Sequence, residues 1–301
     1  MTGAMCGTDD NAVVLTASRR IGDDCARSVR DRFVEAGQNP GPLRRLAGSA
    51  CEFRVGKSVL AADLDAFHAS GVDLDVNLVP VEGREKRLLV SDMDSTIISV
   101  ECIDELADFA GVGAPVAAVT ERAMQGELDF EEALAARVRL IAGLRIEDLE
   151  ACHTERVHLN PGARTLVQTL KRRGAATILV SGGFTFFAER VARDAGFDQY
   201  HANRLSVEEG KLTGSVQQPV LGADTKAAIL TKALRDLGLG CRDACAVGDG
   251  ANDIEIVSMA GLGVAYRGKP KLREIADVRL QHSDLTAILA LMGISETEWA
   301  T

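Results

Sequence analysis

The chain has 301 residues, long enough for a large core divided into two or three units. Its net charge of −10 argues against a nucleic-acid surface as its main business, because such surfaces need clustered Lys and Arg. Hydrophobic content of 46% with 26% charged residues is ordinary for a soluble globular protein, and no apolar run approaches the length of a membrane span, so no membrane partner is expected. The seven cysteines are scattered, odd in number and without a CxxC pair, which speaks against a disulfide framework or structural zinc and for a reducing cytoplasm. Cys241 and Cys245 read as packing residues. No basic stretch followed by an apolar one opens the chain, so no signal peptide is expected.

Residues 1–11 read as a loose tail, followed by a short apolar strand over Ala12–Thr16. Ile21, Cys25, Val29, Phe33 and Val34 fall at helical spacing, and Gly37 with Asn39-Pro40-Gly41 ends that helix. Two short strands follow, near Pro42–Leu46 and Ala50–Val55, then a second helix over Leu60–Ala69. From Val72 to Val81 the residues alternate, with Val72, Leu74, Val76 and Leu78 on one face and Asp73, Asp75 and Asn77 on the other, the pattern of a half-exposed strand. The order strand-helix-strand-strand-helix-strand fits a small α/β sandwich over residues 1–82, a split βαβ unit. Glu82–Lys86, charged and containing Gly83, suits a linker.

Leu88–Val90 is apolar and too short for a helix, so it reads as a buried parallel strand. It runs into Asp92-Met-Asp94-Ser-Thr96. A strand ending in Asp-x-Asp places both acids at the carboxyl edge of a sheet, where open α/β folds bind ligands. The plainer reading is a polar turn in which Asp94 or Ser95 caps the next helix. Four helical segments follow, over Glu101–Ala110, Pro115–Gln125, Asp129–Ala142 and Arg145–His153. Cys102, Leu106 and Phe109 form a stripe on the first, and Phe130, Leu134, Val138 and Ile141 one on the third. Coming before the next sheet strand, they form an insertion beside the sheet, placed to act as a lid.

The sheet pattern resumes with a helix over Gly162–Arg173 and a strand over Ala176–Val180 that ends in Ser181-Gly182-Gly183. A helix over Thr185–Ala195 follows. Short strands over Gln199–Leu205 and Lys211–Ser215 flank a turn at Glu208-Glu209-Gly210. Asp224-Thr225-Lys226 opens a helix through Leu237. Cys245–Val247 is another strand, running into Gly248-Asp249-Gly250-Ala251-Asn252-Asp253. Leu262–Ala265 reads as the last sheet strand and Leu285–Met292 as a terminal helix. Strands alternating with helices indicate an α/β fold with a doubly wound parallel sheet.

In one parallel sheet, strand ends of the same polarity share an edge, so Asp92 and Asp94, Ser181-Gly182-Gly183, Lys226, and Asp249 with Asp253 should converge. Several carboxylates with one lysine bind a bare anion poorly. They make sense around a hard cation such as Mg²⁺, which takes carboxylate and phosphate oxygens. Ser181, the N–H groups around Gly182 and Lys226 can hold the other phosphate oxygens. Asp92 can then attack phosphorus to give an acyl phosphate, and Asp94 can protonate the departing alkoxide and activate water. Taken singly, Ser-Gly-Gly is usually a turn and a lysine usually a solvated helix residue; the ordered set at strand ends favours chemistry.

These four motifs resemble those of the haloacid dehalogenase superfamily of phosphohydrolases, and within it the phosphoserine phosphatases, over roughly residues 85–295. The resemblance implies a catalytic core from 83–98 and 160–301 with a helical cap over 99–159. It makes Asp92 the nucleophile and Asp94 the general acid and base. It gives Mg²⁺ to the Asp92 carboxylate, the Asp94 main-chain carbonyl and Asp249, with Asp253 in support. Ser181, Gly182 and Lys226 would bind phosphate, with Asn252 nearby. In the cap, Glu101 matches the residue that binds the substrate ammonium and Arg137 the one that binds its carboxylate, while Met124 and Phe130 match apolar residues that close over the substrate. Plainer roles are a surface ion pair of Arg137 with Glu131 or Glu132, and a first-turn acid for Glu101. The implied reaction is Mg²⁺-dependent hydrolysis of O-phospho-L-serine, the last step of serine synthesis. A phosphotransferase to another hydroxyl, or an amino-acid-binding regulatory protein with a vestigial phosphatase half, remain alternatives. The N-terminal unit resembles an ACT-type domain in layout, which implies amino-acid binding and a homodimer through it.

Overall fold

The computed structural model describes residues 11–56, 59, 64 and 73–300. The expected helix over Leu60–Ala69 and the start of the strand at Val72 lie outside the described residues. The N-terminal elements are β1 (Asn11–Thr16), α1 (Asp23–Glu35), β2 (Arg44–Ala47), β3 (Ala50–Val55) and β4 (Asp75–Pro80). The strands form an antiparallel sheet in the order β2-β3-β1-β4, so α1 carries the chain from β1 past β3 to β2, the split arrangement. β1 lacks alternation because both its faces are covered. Val13 and Leu15 pack with Phe33 and Phe53 under α1, while Ala12 and Val14 join the main core.

Two expectations change here. The buried stripe of α1 is Ala26, Val29 and Phe33; Cys25 and Val34 are exposed. Cys25 falls one residue outside this stripe, and the periodicity admits it only because a cysteine and an alanine are equally acceptable as small buried groups. β4 is buried on both faces, and Asp75 and Asn77 are buried with it. Their side of the strand meets the rest of the molecule, where they are hydrogen-bonded to residues 279–283. Nor is Glu82–Lys86 a loose connection: Arg84 pairs with Glu52 at 2.7 Å, and Lys86 donates to the carbonyls of Gly83 and Arg242.

The chain continues through β5 (Leu88–Ser91), then α2 (Cys102–Phe109), α3 (Gly113–Met124), α4 (Phe130–Leu140) and α5 (Ile146–Arg156). Next come α6 (Ala163–Arg172), β6 (Ala176–Phe184), α7 (Thr185–Ala195), β7 (Gln199–Asn203), β8 (Leu205–Glu208), β9 (Lys211–Val216) and α8 (Ala223–Leu237). The last elements are β10 (Ala244–Gly248), α9 (Ile254–Met259), β11 (Leu262–Tyr266), α10 (Pro270–Ile275), β12 (Val278–Leu280) and α11 (Ala287–Leu291). Six strands form a parallel sheet in the order β12-β11-β10-β5-β6-β7. β5 alternates between two buried faces, Leu88 and Val90 on one and Leu89 on the other, as a strand covered by helices on both sides must. From β5 the chain first builds one side of the sheet and then returns to build the other. The order therefore reverses between β5 and β10, and ligands bind at such a reversal.

The sheet continues past Leu262–Ala265, expected as its last strand, to β12. β12, with three residues, is too short to carry a pattern of its own. The stretch Gln199–Leu205 breaks at Arg204: β7 pairs with β6, whereas β8 and β9 form a hairpin apart from the sheet. Glu209 (φ 48°) and Gly210 (φ 75°) make its two-residue turn, both left-handed as that turn requires. The hairpin docks on the helical insertion, with Gly143 N donating to Leu212 O at 2.8 Å and Ile146 N to Gly210 O at 3.0 Å. Gly214 allows the close approach, since a Cβ there would lie 2.8 Å from that of Ala142. Among the described residues no helix is long and apolar enough to cross a membrane.

Candidate active site

The site lies at the carboxyl edge of β5, β6 and β10. Asp92 prolongs the ladder of β5, its N–H donating to Val247 O at 2.9 Å. The chain then turns tightly, Thr96, Ile97 and Ile98 all directing their N–H groups to Met93 O. Ser95 takes a left-handed conformation (φ 54°), unusual outside glycine. Asn160 clamps the far side of the turn by donating to Thr96 O and Ile98 O. The turn brings Asp94 back over the sheet edge, so two acids that would diverge along a strand share one site.

Asp94 is buried, accepting from Cys102 N at 2.9 Å through Oδ1 and from Ser181 Oγ at 2.9 Å through Oδ2. Capping α2 and belonging to the site are therefore compatible roles, one oxygen for each. Burial, and then the charge of Glu101, push its carboxyl up to about 7. Gly183 is forced by this packing: a Cβ there would lie 2.8 Å from Asp94 Oδ2. Ser181-Gly182-Gly183, which taken singly would read as a turn, remains part of β6, with a register shift between Val180 and Phe184 that opens the strand at the glycines. Gly183 N donates to Ser181 Oγ at 2.8 Å.

Lys226, only 1% exposed, enters from the first turns of α8. Its Nζ lies 2.7 Å from Asp92 Oδ1 and 2.7 Å from Asp253 Oδ1. Burial opposes its charge, but the two carboxylates outweigh this and raise its pKa, so the ammonium is held. Asp253 Oδ2 accepts from the N–H groups of Asp249 and Gly250, which fixes the loop after β10. A Cβ on Gly248 would lie 2.4 Å or less from Asp253, so only glycine fits beneath it.

Oxygens of Asp92, Asp249 and Asp253 lie within 4.8 Å of one another, a donor set suited to a hard divalent cation. Their engagements differ. Both Asp253 oxygens are occupied, by Lys226 and by backbone N–H groups, which fits support rather than ligation. Among the described residues Asp92 Oδ2 and Asp249 Oδ1 have no hydrogen bond; Asp249 Oδ1 can turn to a cation, and Asp92 Oδ2 is free to meet a ligand.

A cavity of about 140 Å³ opens beside these acids. Asp92, Asp94, Asp249, Asn252, Gly182 and Gly183 line its floor, and Glu101, Phe130, Leu134 and Arg137 come from the helical insertion. Ser95 Oγ donates to Glu101 Oε1 at 2.7 Å and so aims this acid. Enclosure, and then the charges of Asp249 and Asp92, raise the Glu101 pKa. Arg137 is half-buried and donates from Nε to Ala133 O at 3.3 Å. Among the described residues it makes no ion pair. The plainer role as a surface partner fails for Glu132, which instead closes a capping box with Asp129. Phe130 is not on the inner stripe of α4. It is 42% exposed, and its ring would meet a Cβ on Gly182 at 3.3 Å. The side chain of Met124 lies outside the described residues.

Three contributors went unassigned in the sequence. Ser95 was visible within the first motif, but its left-handed backbone was not. Asn203 donates to Gly182 O at 2.8 Å and accepts from Leu221 N at 2.7 Å, tying the glycine loop to the segment before α8. Lys269 Nζ lies 3.2 Å from Asp249 Oδ2; its position just past the β11 strand end was the available signal.

A model of haloacid dehalogenase-like hydrolases matches residues 86–261. A phosphoserine phosphatase of Streptomyces coelicolor is 39% identical over 297 residues, covering 95% of this chain and 72% of that protein. The crystal structure of a probable phosphoserine phosphatase from Vibrio cholerae, 33% identical, superposes with a TM-score of 0.78 over 96% of this chain and 88% of that one. A structure described as a phospho-aspartyl intermediate analogue of phosphoserine phosphatase, 42% identical, superposes with a TM-score of 0.63 over 68% of this chain and 98% of that one. With a family model matching more than half of its length and relatives above 30% identity that it covers by more than two thirds, this chain belongs to the haloacid dehalogenase-like hydrolases, in their phosphoserine phosphatase branch.

Proposed function

We propose that the protein hydrolyses O-phospho-L-serine to L-serine and phosphate, through a phosphoryl group carried on Asp92, with Mg²⁺ as cofactor in the cytoplasm. The observation that carries this reading is the division of labour between two adjacent carboxyls. Lys226 holds Asp92 Oδ1, leaving Oδ2 as a nucleophile, while Asp94, pushed up to about 7, retains a proton to give.

Asp92 Oδ2 attacks phosphorus as the bond from phosphorus to the serine oxygen breaks, and Asp94 delivers its proton to that oxygen. Asp94, now a carboxylate, takes a proton from water as the water attacks phosphorus. The Asp92–phosphorus bond then breaks, releasing phosphate and restoring the free carboxylate. Lys226 stays between Asp92 and Asp253, its charge facing the phosphate, and Ser181 with the N–H group at Gly182 holds phosphate oxygens. Asp92, Asp249 and the Asp94 main-chain carbonyl would hold Mg²⁺, which when bound offsets the repulsion between the carboxylates and the phosphate. Glu101 meets the substrate ammonium and Arg137 its carboxylate, beneath a lid closed by Phe130. This reading treats residues 99–159 as the cap.

Phosphate release from phosphoserine, phosphothreonine, a sugar phosphate and an aryl phosphate, each with Mg²⁺ and after chelation, tests the proposal. Phosphoserine should be hydrolysed best and only with the metal. Equal rates on all four, or undiminished turnover after exhaustive chelation, would overturn it. Adding free homoserine separates hydrolysis from transfer, since a transferase would yield phosphohomoserine.

A further inference from the structure

The site contains two lysines in different situations. Lys226 is sealed between Asp92 and Asp253 and has no route to solvent. Lys269 also meets a carboxylate, with Nζ 3.2 Å from Asp249 Oδ2, but its side chain is 66% exposed while that of Asp249 is 9% exposed. One is a fixed countercharge and the other a removable one.

The chain is built to deliver this second lysine. After β11, Arg267 adopts a left-handed backbone (φ 46°), a region an L side chain rarely occupies, and its N–H donates to Leu280 O at 2.7 Å. Gly268 follows where a Cβ would lie 2.9 Å from that of Ala265. Lys269 N then donates to Asp249 O at 2.7 Å, so the residue is joined to Asp249 by its backbone as well as its ammonium. Pro270 starts α10 immediately afterwards, fixing the backbone that leaves this contact.

We infer that Lys269 is a positioning residue that sets the affinity of the acidic site for its divalent cation, its ammonium occupying Asp249 until the cation arrives. The inference rests on the proposed function, specifically on Asp249 as a metal ligand. The carboxylates of Asp92, Asp249 and Asp253 crowd within 4.8 Å; Lys226 touches the first and the third, and Lys269 touches Asp249. A divalent cation at Asp249 would stand a few ångströms from the ammonium and repel it. Lys269 can swing into water while its backbone bond keeps the Asp249 loop in place. Its charge thus favours the empty site and weakens the loaded one, so that metal enters and leaves a site already shaped to receive it.

The test is Mg²⁺ binding by titration calorimetry to the full chain, stripped of metal, as wild type, Lys269→Met and Lys269→Arg. Lys269→Met should bind Mg²⁺ roughly tenfold more tightly, whereas Lys269→Arg, which keeps the charge, should stay within about threefold of wild type. The metal-free melting temperature of Lys269→Met should fall below that of wild type, and the gap should close with saturating Mg²⁺. Unchanged or weaker binding by Lys269→Met, or equal tightening by both variants, overturns the inference. A wild-type protein that binds no Mg²⁺ overturns the proposed function itself.

Discussion

Asn77 and Arg279 exchange two hydrogen bonds: Asn77 Nδ2 donates to Arg279 O at 2.9 Å, and Arg279 N donates to Asn77 Oδ1 at 2.8 Å. The amide imitates a backbone unit and joins β4 to β12 without a shared ladder. Two residues earlier, Asp75 accepts from the N–H groups of Gln281, His282 and Ser283 and from Ser283 Oγ. The N-terminal sheet is thereby fastened to the last strand of the parallel sheet and to the loop that leads into α11.

Asp75→Ala should therefore destabilise the whole protein, because it strands several backbone donors in a buried seam. The expected loss is roughly 2–4 kcal/mol, with Asn77→Ala costing about half as much. Denaturant unfolding measures both. A change below about 0.5 kcal/mol for Asp75→Ala would mean that water takes the place of its carboxylate and that the seam is not a point of attachment.

A pH prediction follows from Asp94. Its carboxyl is pushed from the ordinary 3.8 up to about 7, first by burial and then by Glu101. The folded metal-free protein holds this proton more tightly than the unfolded chain does. The stability Asp94 contributes is therefore fully present below about pH 4 and is lost as pH rises through about 7. Other carboxylates, such as Glu52 held low by its arginine partners against the effect of burial, run the opposite way. The informative quantity is thus the difference between wild type and Asp94→Asn, both stripped of metal. The advantage of wild type should shrink by roughly 2–4 kcal/mol between pH 4 and pH 8, given about 1.4 kcal/mol per pKa unit. A difference that stays flat with pH would show that Asp94 is ionised throughout this range.

Much of the candidate site is legible in the sequence because it depends on short apolar runs that end in polar clusters. Leu88–Val90 before Asp92, Ala176–Val180 before Ser181 and Cys245–Val247 before Asp249 each announced a buried strand by its lack of alternation. Parallel pairing then brought their ends together. What escaped was whatever depends on partners distant in sequence. Asp75 and Asn77 alternate with Leu74 and Val76 just as solvent-facing residues would, and only the arrival of residues 279–283 reverses their meaning. Phe130 fell in phase with Leu134 and Val138, yet it heads the helix and lies over Gly182, because the first turn of α4 overhangs the sheet edge. Lys269 carried no motif; it gains its place through a left-handed residue and a glycine that a sequence shows only as Arg-Gly.

Asp92→Asn should leave the fold intact, since the amide oxygen can still accept from Lys226, while removing the proposed nucleophile. Turnover should fall by at least about a thousandfold, and rapid acid quenching should trap a labelled phosphoryl group on wild type but not on the variant. Label recovered from Asp92→Asn at the wild-type level, with deamidation excluded by mass spectrometry, would move the covalent step to another group.

Selectivity provides the strictest test of the site, because a phosphate-binding floor alone would accept many esters. Arg137 reaches the cavity from α4, held by the burial of Leu134 and Val138 on either side of it along the helix. Asp104 and Glu101 act on its charge, and among the described residues neither forms an ion pair with it. A guanidinium that is half-buried without a paired carboxylate is prepared to take one from a ligand, and its fork suits both oxygens at once. Losing that contact in a closed site costs roughly 2–5 kcal/mol, much of it from the ligand charge left unpaired. Arg137→Ala should accordingly lower kcat/KM for phosphoserine by roughly 30-fold to several thousandfold and largely spare a small aryl phosphate that has no carboxylate. Arg137→Lys should recover only part of the loss, because an ammonium supplies charge without the two-pronged geometry. An equal loss on both substrates would assign Arg137 to the architecture of the helical insertion, and the carboxylate of the substrate would have to be sought by another residue.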